Sequence, residues 1–373
     1  MPETKQTKEK SGQVDFILLM TILALLMFGL VMLFSASAPS ALQDGNIYSA
    51  IIKQGGLSLL GLFCMLIMAN YDYHYFKKFA DMINKITIAL MIIVPAIGFA
   101  SHGATRQISL GPVSFQPSEV AKFAIVVYFA ARFSEKKTAN LSTDRKNIGN
   151  CIVILAIYCV ACLMQSHMSA AVVLGAIGFL MMIVAGLPMR YFYILGGAGV
   201  ALLAGIGLTA SYRLDRIKAL WDPFAYERGI GWQIIQSLYA VGSGGLFGLG
   251  LGQSRQKFRY LPEAHNDYIY AVICEELGFV GGLLVMALFV VFVWRGISIA
   301  LNAKDRFGMF LAFGITAVIG IQMLINIGVV LSVLPSTGMQ LPFFSAGGTS
   351  MLVILGAMGV LLNISRSSKI KKM

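Results

Sequence analysis

The chain has 373 residues, of which 57% are hydrophobic and 12% charged. A soluble globular protein carries about 25% charged residues. A water-soluble enzyme is therefore excluded, and a disordered chain is excluded by the same abundance of apolar residues. A multi-span membrane protein remains, and its formal net charge of +12 is read as a record of topology, not as a nucleic-acid partner.

A helix needs about 20 apolar residues to cross the hydrocarbon core. In chain order, ten stretches are read as spans: Phe16–Phe34, Gln54–Ala69, Ile83–Phe99, Ser118–Ala131, Ile148–Met164, Ser169–Ala185, Tyr191–Leu208, Phe279–Trp294, Phe307–Val333 and Thr349–Leu362. The first apolar run is too long for a cleaved signal peptide, although Ser35-Ala36-Ser37-Ala38 imitates a cleavage site. Ten spans put both termini on one side. With that side cytoplasmic, the short inner segments carry 19 Lys and Arg, against Lys53 and Arg106 in the short outer ones. Such a bias is the positive-inside pattern. The expected architecture is one all-α integral membrane domain over 1–373. Its tails, 1–15 and 363–373, are cytoplasmic, and a large extracellular loop, 209–268, lies between spans seven and eight.

The five cysteines lie in or beside apolar stretches, which argues against a disulfide scaffold. Cys159-Val-Ala-Cys162 has redox or zinc spacing, but it sits in an apolar helix with no second ligand pair. No metal ligand set is read from the sequence. The run Gly242–Gly252 holds six glycines and lacks the strand–helix setting of a nucleotide loop. It reads either as a flexible or re-entrant loop with close backbone approach or as a loop that shapes a substrate groove.

Ionisable residues in membrane segments are costly and mark function by default. Glu119 and Lys122 stand three apart at the start of the fourth span and can pair on one helix face. Ser118 is the expected N-cap of that helix. The pair either fixes helix packing or charges a cavity near the outer surface. A second polar block runs from Tyr260 to Gly278. There Pro262 opens a segment in which His265 or Asn266 caps a helix and Asp267 falls in its first turn. His265 reads as a cap or orienting group, and Glu275 and Glu276 as structural acids paired with Arg or capping the helix. Just upstream, Arg255, Lys257 and Arg259 form a cationic cluster suited to phosphates or anionic headgroups.

These blocks resemble the shape, elongation, division and sporulation (SEDS) family of peptidoglycan polymerases. The resemblance runs through Gly103-Ala104-Thr105-Arg106, Phe115-Gln116-Pro117-Ser118-Glu119, Gly242–Gly252, Leu261-Pro262-Glu263-Ala264-His265-Asn266-Asp267, Leu334-Pro335-Ser336-Thr337-Gly338 and Ser345-Ala346-Gly347-Gly348. Gly250–Lys257 followed by Tyr260–His265 is similar to the division and sporulation members, FtsW and SpoVE, and less like the elongation member RodA. Gln107, Tyr268-Ile269-Tyr270 and Ala346 depart from the common family pattern.

The resemblance implies a glycosyltransferase that polymerises lipid II at the outer face of the bacterial cytoplasmic membrane, at the division septum or in sporulation. It implies Asp267 as the catalytic residue, acting as general base on an acceptor hydroxyl. The leaving group is then undecaprenyl diphosphate, which needs positive charge more than a proton. Arg106, Lys122, Arg255, Lys257, Arg259 or a divalent cation such as Mg would supply it, with Gln116, Glu119 and His265 as further substrate-site residues. Implied partners are a class B penicillin-binding protein, membrane lipids and other division or sporulation proteins. The alternatives are a lipid II flippase, which needs a polar path across the bilayer, and a scaffold, which leaves the charged outer cluster unexplained.

Overall fold

The computed structural model describes residues 12–43, 45–46, 48–97, 99–101, 104–110, 113–135, 145–209, 211–227, 229–258 and 260–368. Each expected span falls on a helix: α1 (Phe16–Gln43), α2 (Ser49–Asn70), α3 (His74–Ile97), α4 (Pro117–Phe133), α5 (Arg145–Met164), α6 (Met168–Val184), α7 (Met189–Thr209), α10 (Ile269–Leu301), α11 (Arg306–Val330) and α12 (Gly348–Ser367). Two further helices, α8 (Ser211–Trp221) and α9 (Ile230–Ser243), fold within the long polar segment. Among the described residues, six helices are long and apolar enough to cross a membrane: those in α1, α2, α5, α10, α11 and α12.

The other expected spans differ for physical reasons. The helix α4 has 17 residues and is buried along nearly its whole length. It lies among other helices, where a buried Glu and Lys can find partners instead of lipid. The helix α3 starts at His74, nine residues before the expected span, and Lys77, Lys78, Asp81 and Lys85 charge its first half. The all-α expectation also needs correction. Between α3 and α4 the chain forms a small antiparallel meander, β1 (Phe99–Ser101), β2 (Ala104–Leu110) and β3 (Val113–Phe115). Its register pairs Phe99 with Gln107 and Ile108 with Phe115.

Packing follows residue size. The helices α2 and α12 lie along one another, with Gly61 against Leu355 and Gly359 against the Met65 backbone. Small residues permit such close approach where the hydrophobic effect does not drive helices together. At the end of the bundle where α1 begins, two acids, Asp15 buried and Asp305 partly buried, tie helices to one another. Asp15 caps α1 through the Leu18 amide at 2.9 Å and pairs with Arg295 of α10. Asp305 caps α11 through Phe307 and Gly308, and it also accepts the Tyr73 hydroxyl.

The longest helix is broken. At Gly278 the backbone of α10 turns to φ 70° and ψ −168°, a conformation open to glycine. The break frees backbone groups that lipid cannot satisfy. The glycine-rich segment supplies them. Phe279 and Val280 amides donate to Gly245 and Leu246 carbonyls at 2.8 and 3.1 Å. In return, Leu249 and Gly250 amides donate to Glu275 and Glu276 carbonyls at 3.0 and 2.9 Å. A Cβ on Gly248, itself at φ +80°, would collide with the Glu276 carbonyl. Of the two readings of this segment, close backbone approach is the one seen.

Candidate active site

Asp267 sits just before the N-cap of α10, Tyr268, and not in its first turn as expected from the sequence. The loop leading to it is wound around Glu263, which holds φ 53°. That region is unusual for a non-glycine residue. The strain is offset by one carbonyl serving three amides: Asn266, Asp267 and Tyr268 all donate to the Glu263 oxygen, at 3.0, 3.1 and 3.3 Å.

A second loop, between α11 and α12, is clamped to this one. Asn326 of α11 donates from Nδ2 to both the Asp267 and the Met339 carbonyls, each at 2.7 Å. The Ser345 hydroxyl bonds the Asn266 carbonyl and accepts the Leu341 amide, and the Ala346 amide donates to the His265 carbonyl. Gly338 lies against the carboxylate, where a Cβ would come within 3.2 Å of Asp267 Oδ2. The Asp267 backbone is thus held by three elements, while its side chain is half-buried.

The two loops wall a cavity of about 1040 Å³. Its opposite wall is the start of α4. Glu119 and Lys122 form an ion pair there, Nζ to Oε1 2.7 Å, and Ser350 of α12 donates to the other Glu119 oxygen at 2.8 Å. The N-cap of α4 is Gln116, with Pro117 opening the helix, in place of the expected Ser118. Ser118 instead faces His167 Nδ1 at 3.3 Å, as does Gln116 Nε2. From α8, Arg216 reaches into the cavity and donates to the Ser336 carbonyl at 2.7 Å. Burial pushes His265 below its ordinary value, and the Glu263 carboxylate opposes that shift.

The cavity therefore brings together Gln116, Glu119, Lys122, His265 and Asp267 from the sequence reading. It adds His167, Arg216, Gln233 and Gln340, which that reading missed. Arg216 was one of seven cations in a long polar segment, and His167 a lone histidine between two apolar helices. Neither had a local pattern to distinguish it.

Of the expected cationic cluster, the described members Arg255 and Lys257 do not line the cavity. Lys257 is buried elsewhere, with Nζ 2.7 Å from Glu276 Oε1 and 2.9 Å from Ser35 Oγ. Arg255 is exposed, and its amide donates to Glu275 Oε1 at 2.8 Å. Glu275 also accepts the Ser254 hydroxyl. Glu275 and Glu276 thus fasten the basic loop to the helix break, and the partner of Glu276 is a Lys where an Arg was expected. Arg259 lies outside the described residues, as does the side chain of Arg106, whose backbone runs in β2. The five cysteines are free. Among the described residues no three His, Cys, Asp or Glu side chains converge to hold a metal ion. Magnesium is usually held by one or two carboxylates together with substrate phosphates, and Asp267, Glu119 and Glu263 line the cavity; no step is routed through a metal.

Comparison with known proteins shows the family. The family model for cell cycle proteins of the FtsW, RodA and SpoVE type matches residues 16–370. Stage V sporulation protein E of Bacillus subtilis is 40% identical over 96% of this chain and 99% of its own length. A probable peptidoglycan glycosyltransferase FtsW of a Geobacter species is 39% identical over 94% of this chain and 96% of its own. Among solved structures, a chain from a peptidoglycan synthase complex that coordinates polymerization and crosslinking superposes with a TM-score of 0.78. It is 26% identical, covering 95% of this chain and 98% of that one. The rod shape determining protein RodA of Thermus thermophilus shares the fold, with a TM-score of 0.71 at 23% identity over 96% of this chain and 98% of that one. The chain belongs to the FtsW/RodA/SpoVE family of membrane proteins, on the FtsW and SpoVE side of it.

Proposed function

We propose that this chain is a peptidoglycan glycosyltransferase that polymerises lipid II, with Asp267 as general base. The names of its FtsW relatives support the activity. The observation that carries the mechanism is a half-buried carboxylate, fixed through its backbone, facing a cavity that also holds Arg216 and Lys122.

In this reading an acceptor-sugar hydroxyl lies against Asp267. Its oxygen attacks the anomeric carbon of the donor as its proton passes to the carboxylate. The bond from that carbon to the diphosphate breaks, and the diphosphate leaves with the electron pair. The departing anion needs no proton. It needs cations, and Arg216 and Lys122 are the described cations on the cavity wall. Lys122 is partly neutralised by Glu119, so Arg216 carries more of that charge. His265, held neutral by burial, orients the acceptor through its ring nitrogens.

The topology follows from the charge bias of the short segments: ten spans, cytoplasmic tails and the cavity at the outer face. A class B penicillin-binding protein as partner, and a place at the septum or in sporulation, follow from the family. The flippase reading finds less support. A separate void of about 20 Å³ beside Glu119 and Lys122 is walled mainly by apolar side chains, room for one water and not for a sugar.

The test is polymerisation of purified lipid II by the parent and by Asp267→Asn, each with the partner transpeptidase. The parent should yield long glycan and the variant none. A well-folded Asp267→Asn protein with parental turnover would remove the mechanism.

A further inference from the structure

A second concavity lies far from the cavity. The helix α4 carries Glu119 near its start and Arg132 in its last turn. Thirteen residues at 1.5 Å each separate them by about 20 Å along the helix. Around Arg132, the helices α3, α4 and α5 leave a groove of about 500 Å³. It is divided into two halves. One is polar, with Asp81, Asn84, Lys85, Tyr128 and Arg132. The other is apolar, with Ile88, Ala89, Ile92 and Ile154. The apolar half runs along α3 toward its middle, in the direction of the bilayer core.

The polar half is built in depth. Asn84 is buried and accepts the Tyr158 hydroxyl at 2.9 Å. The Arg132 guanidinium lies 5.1 Å from the Tyr128 ring centroid and is aimed by Asp81 at 2.7 Å and Glu135 at 3.3 Å. Lys85 is exposed at the rim and makes no ion pair among the described residues. Arg132 is thus paired twice, once from outside the lining by Glu135, and Lys85 is the lining cation that forms no ion pair among the described residues. In sequence, positions 136–146 contain Lys136, Lys137, Arg145 and Lys146 against Asp144.

We propose that this groove binds an anionic glycerophospholipid. Its phosphate meets Lys85 at the rim, with Tyr128 and Asn84 offering polar contacts below, and one acyl chain lies over Ile88, Ala89 and Ile92. The two halves match the two ends of such a lipid. Basic pockets between membrane helices take anionic headgroups for the same reason. A free anion would use the polar half and leave the apolar half open to lipid in any case. The site is independent of lipid II chemistry, so its failure and the failure of the proposed activity are read in different assays.

The test uses the full-length protein reconstituted in vesicles of four parts phosphatidylcholine to one part phosphatidylglycerol. The protein is re-extracted in mild detergent, and the phospholipids that stay bound are quantified by mass spectrometry. The parent should retain phosphatidylglycerol well above its share in the vesicle. Lys85→Gln should lower that enrichment about fivefold, the worth of one basic residue near an anionic surface. Ile92→Trp, which fills the apolar half, should lower it too. Lys304→Gln, an exposed control beyond the groove, should match the parent. Retention at the vesicle ratio by the parent, or equal retention by Lys85→Gln and Lys304→Gln, would overturn the site.

Discussion

Two buried Lys–Glu pairs have the same geometry and different surroundings. Lys122–Glu119 and Lys257–Glu276 both close at 2.7 Å. The first has side chains 5% and 11% exposed and forms part of a cavity wall. The second is 2% and 0% exposed, enclosed by Ser35 and the basic loop at the break in α10. A buried ion pair gains little net stability over an apolar one, but breaking it strands a charge. The sealed pair therefore serves the fold, where it locks the loop after the glycine-rich segment to the helix that begins just after Asp267. The cavity pair faces open space on one side, so a substrate anion can compete for Lys122.

The largest effect should come from breaking the sealed pair. Lys257→Met leaves Glu276 charged and buried, which should cost about 3–5 kcal/mol. Thermal melting followed with a thiol-reactive dye would read this, because Cys151, Cys162 and Cys274 are buried free thiols. The double variant Lys257→Met/Glu276→Met should recover much of the loss. If Lys257→Met melts like the parent and is inactive, Lys257 belongs to the substrate site after all.

At the cavity pair, Lys122→Met should cost less stability than Lys257→Met, since Glu119 keeps Ser350 and cavity water. Its lipid II polymerisation should nevertheless fall. A variant destabilised as much as Lys257→Met would erase the distinction between the pairs.

The clamp beneath Asp267 comes next. Asn326 is 1% exposed, and Asn326→Leu leaves two buried carbonyls without their donor, at about 1–3 kcal/mol. Because the loop position is lost, turnover should drop more than substrate affinity. An unchanged turnover in a melted-down protein would make Asn326 a packing residue only.

The smallest effect is a pH dependence. Burial lowers the His265 pKa in the folded state, so the unfolded chain binds the proton more readily. Stability should thus be full above the ordinary imidazole value of about 6.5 and decline as pH falls below it. His265→Gln should melt with a weaker dependence between pH 7.5 and 5.5. An identical slope in the variant would place the dependence elsewhere.

Much of this was legible in the sequence. Long apolar runs fix α1, α2, α10, α11 and α12, since each needs one span of lipid or core. Glu119 and Lys122 stood out because charge in such runs is costly, and Asp267 because it stands at a helix start in a block that resembles the family. The break in α10 was not legible: Gly278 follows two glutamates and looks like any membrane glycine until its partner, Gly242–Gly252, is packed against it. The cluster Arg255–Arg259 misled for a related reason. Three nearby cations suggest an anion, but the sequence does not tell which acids fold over them. In this chain they include Glu275 and Glu276, about 20 residues on. Arg216 and His167 reach the cavity from separate elements, and only the tertiary fold joins them to Asp267.

The central claim is that Asp267 takes the acceptor's proton. One preparation of Asp267→Asn, matched in melting temperature to the parent, should be measured for both lipid II binding and glycan polymerisation. Asn keeps the side chain's size and the backbone clamp but is no base at neutral pH. Binding should stay near parental, and polymerisation should fall on the order of 10²–10⁴-fold, the usual worth of a general base. Parental polymerisation by that protein, or a loss traced wholly to lost binding, would contradict the account.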